Sequence, residues 1–303
     1  MSKIVVTQDL GLNKEERERL NKLGEVIYYE NLSTTLDEWF SRCKDADIIC
    51  TGRFGFASEK LYELENKFFS CPIVGVGFLN LEKLKEKNIL VARAPGCNSE
   101  AVSEWVIAMV LNLFRDLLNY VNNLSLPVGV TPERTKGLVG KNITILGKGN
   151  IGLQVGKICE DFGMNVKYFI RNDDLVESIK NADVVVNTLS LNKETTGLLD
   201  KQFFNSFKKG AYFITITSIQ MHDTNAILEA LDKNILAGVA NDCGSIQNGD
   251  VLDLSYMKFA KHPKVLATPH ISYNTDTTDR KGSKMMIDNI EAYLKDKPIN
   301  LIK

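Results

Sequence analysis

The sequence predicts an α/β protein of two parallel-sheet domains, and three observations carry that prediction. Short apolar runs alternate with amphipathic segments almost from end to end, as strands and helices alternate in such folds. The alternation comes in two series, separated by a long helical pattern and a proline-bearing segment. The second series opens with an apolar strand that runs straight into a glycine-rich turn and then a helix. At 303 residues, 44% hydrophobic and 25% charged, the chain can fill two cores of ordinary size.

In the first series, Ile4 to Val6 reads as a strand and Asn13 to Leu23 as a charged helix. Val26 to Tyr29 is a strand, Leu36 to Lys44 a helix and Ile48 to Cys50 a strand, with Ile73 to Val76 and Ile89 to Ala92 completing the sheet. The longest helical pattern runs from Ser99 to Asn122, with Asn98 or Ser99 as its cap. The next segment, SLPVGVTPERTKGLVGK, carries two prolines and several turn residues, so it reads as a loop. The second series places strands at Ile143 to Leu146, Val166 to Ile170, Val184 to Asn187, Tyr212 to Thr217, Leu236 to Ala240 and Val265 to Ala267. A last helix covers Thr278 to Leu294.

Bulk properties exclude several classes. The formal net charge is -1 and basic residues are spread along the chain, which leaves no basic stripe for nucleic acid. The six cysteines form no CxxC pair, so neither a zinc site nor a disulfide framework is expected. The amino terminus enters a strand at once, without a signal-peptide core, and the apolar stretch Trp105 to Leu113 is too short to span a membrane. A cytoplasmic enzyme or binding protein acting on a small molecule is the expectation.

The glycine-rich turn is Gly147-Lys148-Gly149-Asn150-Ile151-Gly152. Its G-x-G-x-x-G spacing, between strand and helix, is the fingerprint of a dinucleotide site. Gly147 permits the tight turn, Gly149 lets backbone approach a pyrophosphate, and Gly152 lets helix and strand pack closely. The helix start at Asn150 and Ile151 offers free N–H groups to the phosphates. At the end of the next strand an NAD site usually carries a carboxylate, but here Ile170 is followed by Arg171 and Asn172. An arginine can pair with a 2′-phosphate, which favours NADP. The alternative is NAD, with Arg171 solvated and Asp173 or Asp174 folding back to the ribose.

Several further motifs resemble those of the D-isomer-specific 2-hydroxyacid dehydrogenases. Gly210 to Asp223, GAYFITITSIQMHD, lines up without a gap on G-A-x-L-I-N-x-A-R-G-x-x-V-D. Val74 to Asn80 resembles V-G-x-G-x-D-N, and Ala94 to Asn98 with Ala101 to Glu104 resembles A-P-G-x-N…A-V-A-E. Leu191 to Leu199 resembles L-T-P-E-T-x-G-L-I, and Thr268 to Ile271 resembles T-P-H-I/L. The likeness covers essentially the whole chain. It implies two Rossmann-like doubly wound domains with a cofactor and substrate cleft between them. Residues 1–97 with 272–303 would form the substrate domain and 98–271 the dinucleotide-binding domain. It also implies a homodimer through the Ser99 to Asn122 helix and the loop after it.

The family uses an arginine to hold substrate carboxylate, a histidine to pass a proton, and a glutamate beside the histidine. His270 matches the histidine, and imidazole suits proton transfer near neutral pH. Ser218 stands at the arginine position, where a hydroxyl cannot supply a planar double donor. Gln247 stands at the glutamate position and can hydrogen-bond His270 but cannot stabilise imidazolium by charge. Asp242 matches the aspartate beside the nicotinamide amide, and Ile216 and Thr217 are expected to flank the cofactor. Asp223 reads as a helix cap. Val76 and Gly77 resemble backbone donors to the substrate carboxylate, although Leu79 replaces the usual aspartate. Phe54, Phe56 and Phe78 are candidates for an aromatic wall or for core. Arg53, and less so Arg93, are candidates to replace the missing guanidinium; Cys97 is a candidate thiol or a core residue.

The leading expectation is therefore an NAD(P)-dependent oxidoreductase acting on a small polar carbonyl, alcohol or imine, altered from 2-hydroxyacid chemistry. The alternative is a catalytically silent NAD(P)-binding regulatory protein.

Overall fold

A computed structural model of the chain describes residues 1–122, 134–243 and 254–302. It divides into two compact units, Met1–Asn98 with Asn274–Lys303, and Ser99–Tyr273.

In the first unit the strands are β1 (Lys3–Val6), β2 (Glu25–Tyr28), β3 (Ile48–Cys50), β4 (Phe68–Ser70) and β5 (Leu90–Ala92). All are parallel, in the order β2-β1-β3-β4-β5. Helices α1 (Lys14–Asn21), α2 (Leu36–Cys43) and α3 (Leu81–Glu86) connect them. Each helix starts where the sequence places a polar cap. Asn13 Oδ1 accepts from the Glu16 N–H while Glu16 accepts from the Asn13 N–H, and Thr35 and Asn80 cap α2 and α3. The interior strands β3 and β4 are buried on both faces, as strands covered by helices are. One face packs Trp39, Phe56 and Phe69, and the other packs Ile4, Phe68 and the last helix.

Ser99–Tyr273 begins with α4 (Ser99–Arg115) and α5 (Leu117–Asn122). Its strands are β6 (Asn142–Leu146), β7 (Asn165–Phe169), β8 (Val184–Asn187), β9 (Ala211–Thr215), β10 (Leu236–Asn241) and β11 (Val265–Ala267). The sheet is parallel, in the order β11-β10-β9-β8-β6-β7. Helices α6 (Asn150–Asp161), α7 (Leu175–Ile179), α8 (Lys201–Asn205), α9 (Thr224–Asp232) and α10 (Leu254–Ala260) join the strands. Phe203 and Phe204 of α8 pack with Phe207 and Phe213 in a buried aromatic cluster whose contacts are mostly edge-to-face. The last helix, α11 (Asp276–Leu294), belongs to the first unit and packs Met286, Ile287 and Ile290 on its sheet.

In each sheet the strand order reverses once, between β1 and β3 and between β6 and β8. Ligands of doubly wound folds bind outside the carboxyl ends of the strands at such a switch point.

The structure corrects four local expectations. Ile73 to Val76 is not a strand. Phe68–Ser70 fills that place between β3 and β5, and Pro72, which has no N–H to donate, lies at the start of the loop that follows. The Ser99 to Asn122 helix breaks at Asp116, whose φ of 51° leaves the right-handed region. Neither Asn98 Oδ1 nor Ser99 Oγ finds a hydrogen-bond partner, so neither side-chain oxygen caps α4. The strand expected to reach Thr217 ends at Thr215, and the chain turns there into a short 3-10 helix, Ile219–Met221. Among the described residues, no helix is long and apolar enough to cross a membrane.

Candidate functional site

The glycine turn lies at the switch point of the larger sheet, between the carboxyl ends of β6 and β8. Its conformation explains each glycine separately. Gly147 has φ 100°, and its N–H donates to Phe169 O at 3.0 Å, tying the turn to β7. A Cβ on Gly152 would lie 2.4 Å from Gly147 O and 3.0 Å from Thr188 Oγ1, so a side chain there would push helix from strand. Gly149 has open space where a Cβ would be, and it begins α6 with no side-chain cap. Gly149 and Asn150 are exposed and Ile151 is half-buried, so the first N–H groups of α6 face solvent rather than a capping oxygen. A close backbone turn, an open glycine and an uncapped helix start fit a pyrophosphate.

At the end of β7, Ile170 is exposed, and its N–H donates to Asp173 Oδ2 at 2.8 Å. Asp174 caps α7 by accepting from the Glu177 N–H. Both carboxylates that could have folded back to a ribose are thus bonded to local backbone. Asn172 takes a φ of 80°, and the Arg171 guanidinium forms an ion pair with Glu194 from the loop after β8.

The turn after β9 carries Ser218. Asn187, wholly buried at the end of β8, donates through Nδ2 to Thr215 Oγ1 (3.3 Å), Thr217 Oγ1 (2.8 Å) and Met221 Sδ (3.2 Å). Its Oδ1 accepts from the Leu189 N–H at 3.2 Å, so one amide links the ends of β8 and β9. Ile216 and Thr217 are half-buried at this strand end, and the Ser218 hydroxyl accepts from the Gln220 N–H at 3.3 Å. Asn187 is absent from the sequence-based candidates, although a polar residue closing the run Val184-Val185-Val186 is a usable signal.

Asp242 is 1% exposed at the end of β10, and both carboxylate oxygens are engaged. Oδ1 accepts from Thr268 Oγ1 (2.5 Å) and the Ile271 N–H (2.9 Å), and Oδ2 accepts from the Ser272 N–H (2.8 Å). These three donors bracket His270, which has φ 58° and an exposed ring lying edge-to-face on Tyr273 at 5.5 Å. A histidine at positive φ is strained, and the carboxylate clamps the turn that holds it there. Asp223 is a helix cap, accepting from the Asn225 and Ala226 N–H groups. Gln247 lies outside the described residues.

Arg53 follows β3 at the carboxyl edge of the smaller sheet, beside that sheet's own switch point. Its guanidinium sits 4.7 Å over the Phe78 ring, which meets Phe56 edge-on at 5.9 Å. Among the described residues Arg53 has no carboxylate partner, and the N–H groups of Val76 and Gly77 donate to no backbone carbonyl. Gly77 is exposed and Val76 half-buried. Arg93 instead donates to Val74 O at 3.0 Å and supports the same loop. Phe56, at 0% exposure, and Leu79 belong to the core, so the aromatic wall is reduced to the half-buried Phe54 and Phe78. Cys97 is buried, and burial pushes the thiols of Cys43, Cys50 and Cys159 up to about 12. Those thiols are packing groups. Among the described residues no cluster of His, Cys, Asp and Glu could hold a metal ion.

Comparison with known proteins gives a consistent result. A family model described as D-isomer specific 2-hydroxyacid dehydrogenase, NAD binding domain, matches residues 107–272. The D-lactate dehydrogenase of Streptococcus agalactiae serotype V is 30% identical over 239 residues, covering 71% of this chain and 72% of that one. The hydroxypyruvate reductase of Blautia hydrogenotrophica is 26% identical across 99% of both chains. Among solved structures, TT0316 protein from Thermus thermophilus matches with TM-score 0.80 and 26% identity, over 99% of this chain and 100% of that one. An acyclic imino acid reductase in complex with NADPH and D-Arg matches with TM-score 0.81 at 21% identity, over 99% of this chain and 100% of that one, a likeness of fold.

Proposed function

The chain belongs to the D-isomer-specific 2-hydroxyacid dehydrogenase family, and on that premise we propose that it is an NAD(P)-dependent oxidoreductase acting on a small polar carbonyl, alcohol or imine. The observation that carries this reading is the glycine turn at the switch point, where a Cβ on Gly152 would stand 2.4 Å from Gly147 O while Gly149 stays open. Gly147, Gly149 and the N–H groups at Asn150 to Gly152 would hold the pyrophosphate, with Arg171 at the adenosine end favouring NADP over NAD. A nicotinamide bound there supplies or accepts the hydride. His270 gives a proton to the substrate oxygen or nitrogen, or takes one, from an exposed ring whose backbone Asp242 holds in place. Ser218, standing where the family has arginine, offers a single neutral hydroxyl, so unit Ser99–Tyr273 has less affinity for a carboxylate than its relatives. Arg53, with the free N–H groups of Val76 and Gly77, supplies the anion-binding corner of the other unit.

The neutral Ser218 hydroxyl favours substrates whose reacting carbon carries a hydroxyl or amide neighbour over a simple 2-oxoacid. The same reading includes a cytoplasmic homodimer; Leu117, Leu118 and Val121 stay exposed on α5, within the segment expected to form the contact. The test is a screen of 2-oxoacids, hydroxy-carbonyls and imines against NADPH and NADH, run on the native chain and on His270→Ala. The expected result is turnover of a neutral or imine substrate that His270→Ala abolishes while cofactor affinity is unchanged. Cofactor binding with no turnover of any class would instead support a silent NAD(P)-binding regulator.

A further inference from the structure

We propose that Glu194 sets the choice between the two nicotinamide dinucleotides by pairing with Arg171 and holding the adenosine end of the site near electrical neutrality. The inference rests on the cofactor reading above and names a residue that the glycine fingerprint does not contain. Strands β7 and β8 lie on either side of β6, so the loops that leave their carboxyl ends converge beside the glycine turn. Arg171 leaves from β7 and Glu194 from the loop after β8, and their side chains meet in an ion pair while remaining 78% and 68% exposed.

The loop presents Glu194 in a fixed way. Asn192 Oδ1 accepts from the Glu194 N–H (2.8 Å) and the Thr195 N–H (3.1 Å), and Thr195 Oγ1 donates to Ser190 O (2.8 Å). The neighbouring carboxylates are committed elsewhere, Asp173 to the Ile170 N–H and Asp174 to the Glu177 N–H. Glu194 is therefore the carboxylate that faces the cation.

The consequence follows from charge. A 2′-phosphate attracted by Arg171 must displace Glu194 or lie beside it, and like charges at close range oppose binding. A ribose 2′-hydroxyl meets no such cost and can donate to the carboxylate. Both side chains are largely exposed, so the pair is weak enough to open for either ligand. The pair thus lets both dinucleotides bind and limits the preference for the phosphorylated one. A carboxylate on the β7 end would exclude the phosphate, and an unpaired arginine would select it strongly; this chain does neither.

The experiment is calorimetric titration of the native chain, Glu194→Gln and Arg171→Ala with NADPH and with NADH, at two salt concentrations. In Glu194→Gln the ratio of NADPH to NADH affinity should rise about tenfold at low salt, and less at high salt as screening sets in. In Arg171→Ala NADPH affinity should fall by at least about tenfold, with NADH nearly unchanged. An unchanged ratio in Glu194→Gln, with both nucleotides binding the native chain, would overturn this inference and leave the cofactor reading intact. Binding of neither nucleotide to the native chain would overturn both.

Discussion

His222 gives the prediction whose size follows most directly from the structure. It sits in the extended segment before α9, 6% exposed, with its ring 6.4 Å from Phe213 and 6.5 Å from Phe259. Neither ring nitrogen has a hydrogen-bond partner, so the side chain is a polar group left unpaired in an aromatic pocket. Burial lowers its pKa from the ordinary 6.5 to about 4, outweighing the nearby Asp223, which raises it. The unfolded chain therefore takes up a proton that the folded chain refuses. Above the unfolded value this group adds no pH dependence. As pH falls from about 6.5 towards about 4 stability is lost, reaching about 3 kcal/mol, and below that the loss stops growing. Replacing His222 by Val suits the extended backbone and removes both the titration and the unpaired nitrogens. Urea unfolding, with hydrogen exchange of the α9 amides as the local readout, should find His222→Val more stable by about 1 kcal/mol at neutral pH. Its advantage over the native chain should widen by about 3 kcal/mol on acidification to about pH 4. An advantage that stays constant with pH would refute the argument that this imidazole is buried neutral.

The glycine turn predicts a contrast. Gly152→Ala should destabilise the second unit by about 1–3 kcal/mol and abolish dinucleotide binding, because its Cβ meets backbone, whereas Gly149→Ala should fold normally and bind more weakly. Melting curves and titrations of the two variants check both halves. Asp242→Asn places an NH2 or a lone carbonyl where two oxygens now accept three donors, so His270 loses its clamp. Turnover should fall at least about tenfold with cofactor affinity nearly unchanged; a loss of cofactor affinity alone would mean that Asp242 serves the nicotinamide instead. Ser218→Arg should raise kcat/KM for a simple 2-oxoacid by at least about tenfold, since a guanidinium returns the paired donors a carboxylate prefers. No gain would show that the rest of the site has diverged as well.

Much of this architecture is legible in the residues. The apolar runs at Ile143 to Leu146 and Val184 to Asn187 read as strands because interior strands of a parallel sheet are buried on both faces. The glycine fingerprint is readable because each glycine answers a local steric demand. Ile73 to Val76 misled because apolar content alone cannot choose between it and Phe68–Ser70. Pairing with β3 and β5 makes that choice, and it is not a local property. The Arg171–Glu194 pair is 23 residues apart in sequence and becomes visible only once both loops leave the same sheet edge. Asp242 was legible as a site residue by its motif, but its three donors come from 26 to 30 residues downstream. His222 carries no signal in the sequence, since an orphaned nitrogen is a property of the surrounding pocket.

In the proposed function the turn from Gly147 to Gly152 holds a nicotinamide dinucleotide. The decisive measurement is calorimetric titration of the cofactor-free protein with NADPH and NADH. Saturable one-to-one binding of both is expected, tighter for NADPH and lost in Gly152→Ala. Binding of neither nucleotide to the folded native chain would rule that site out.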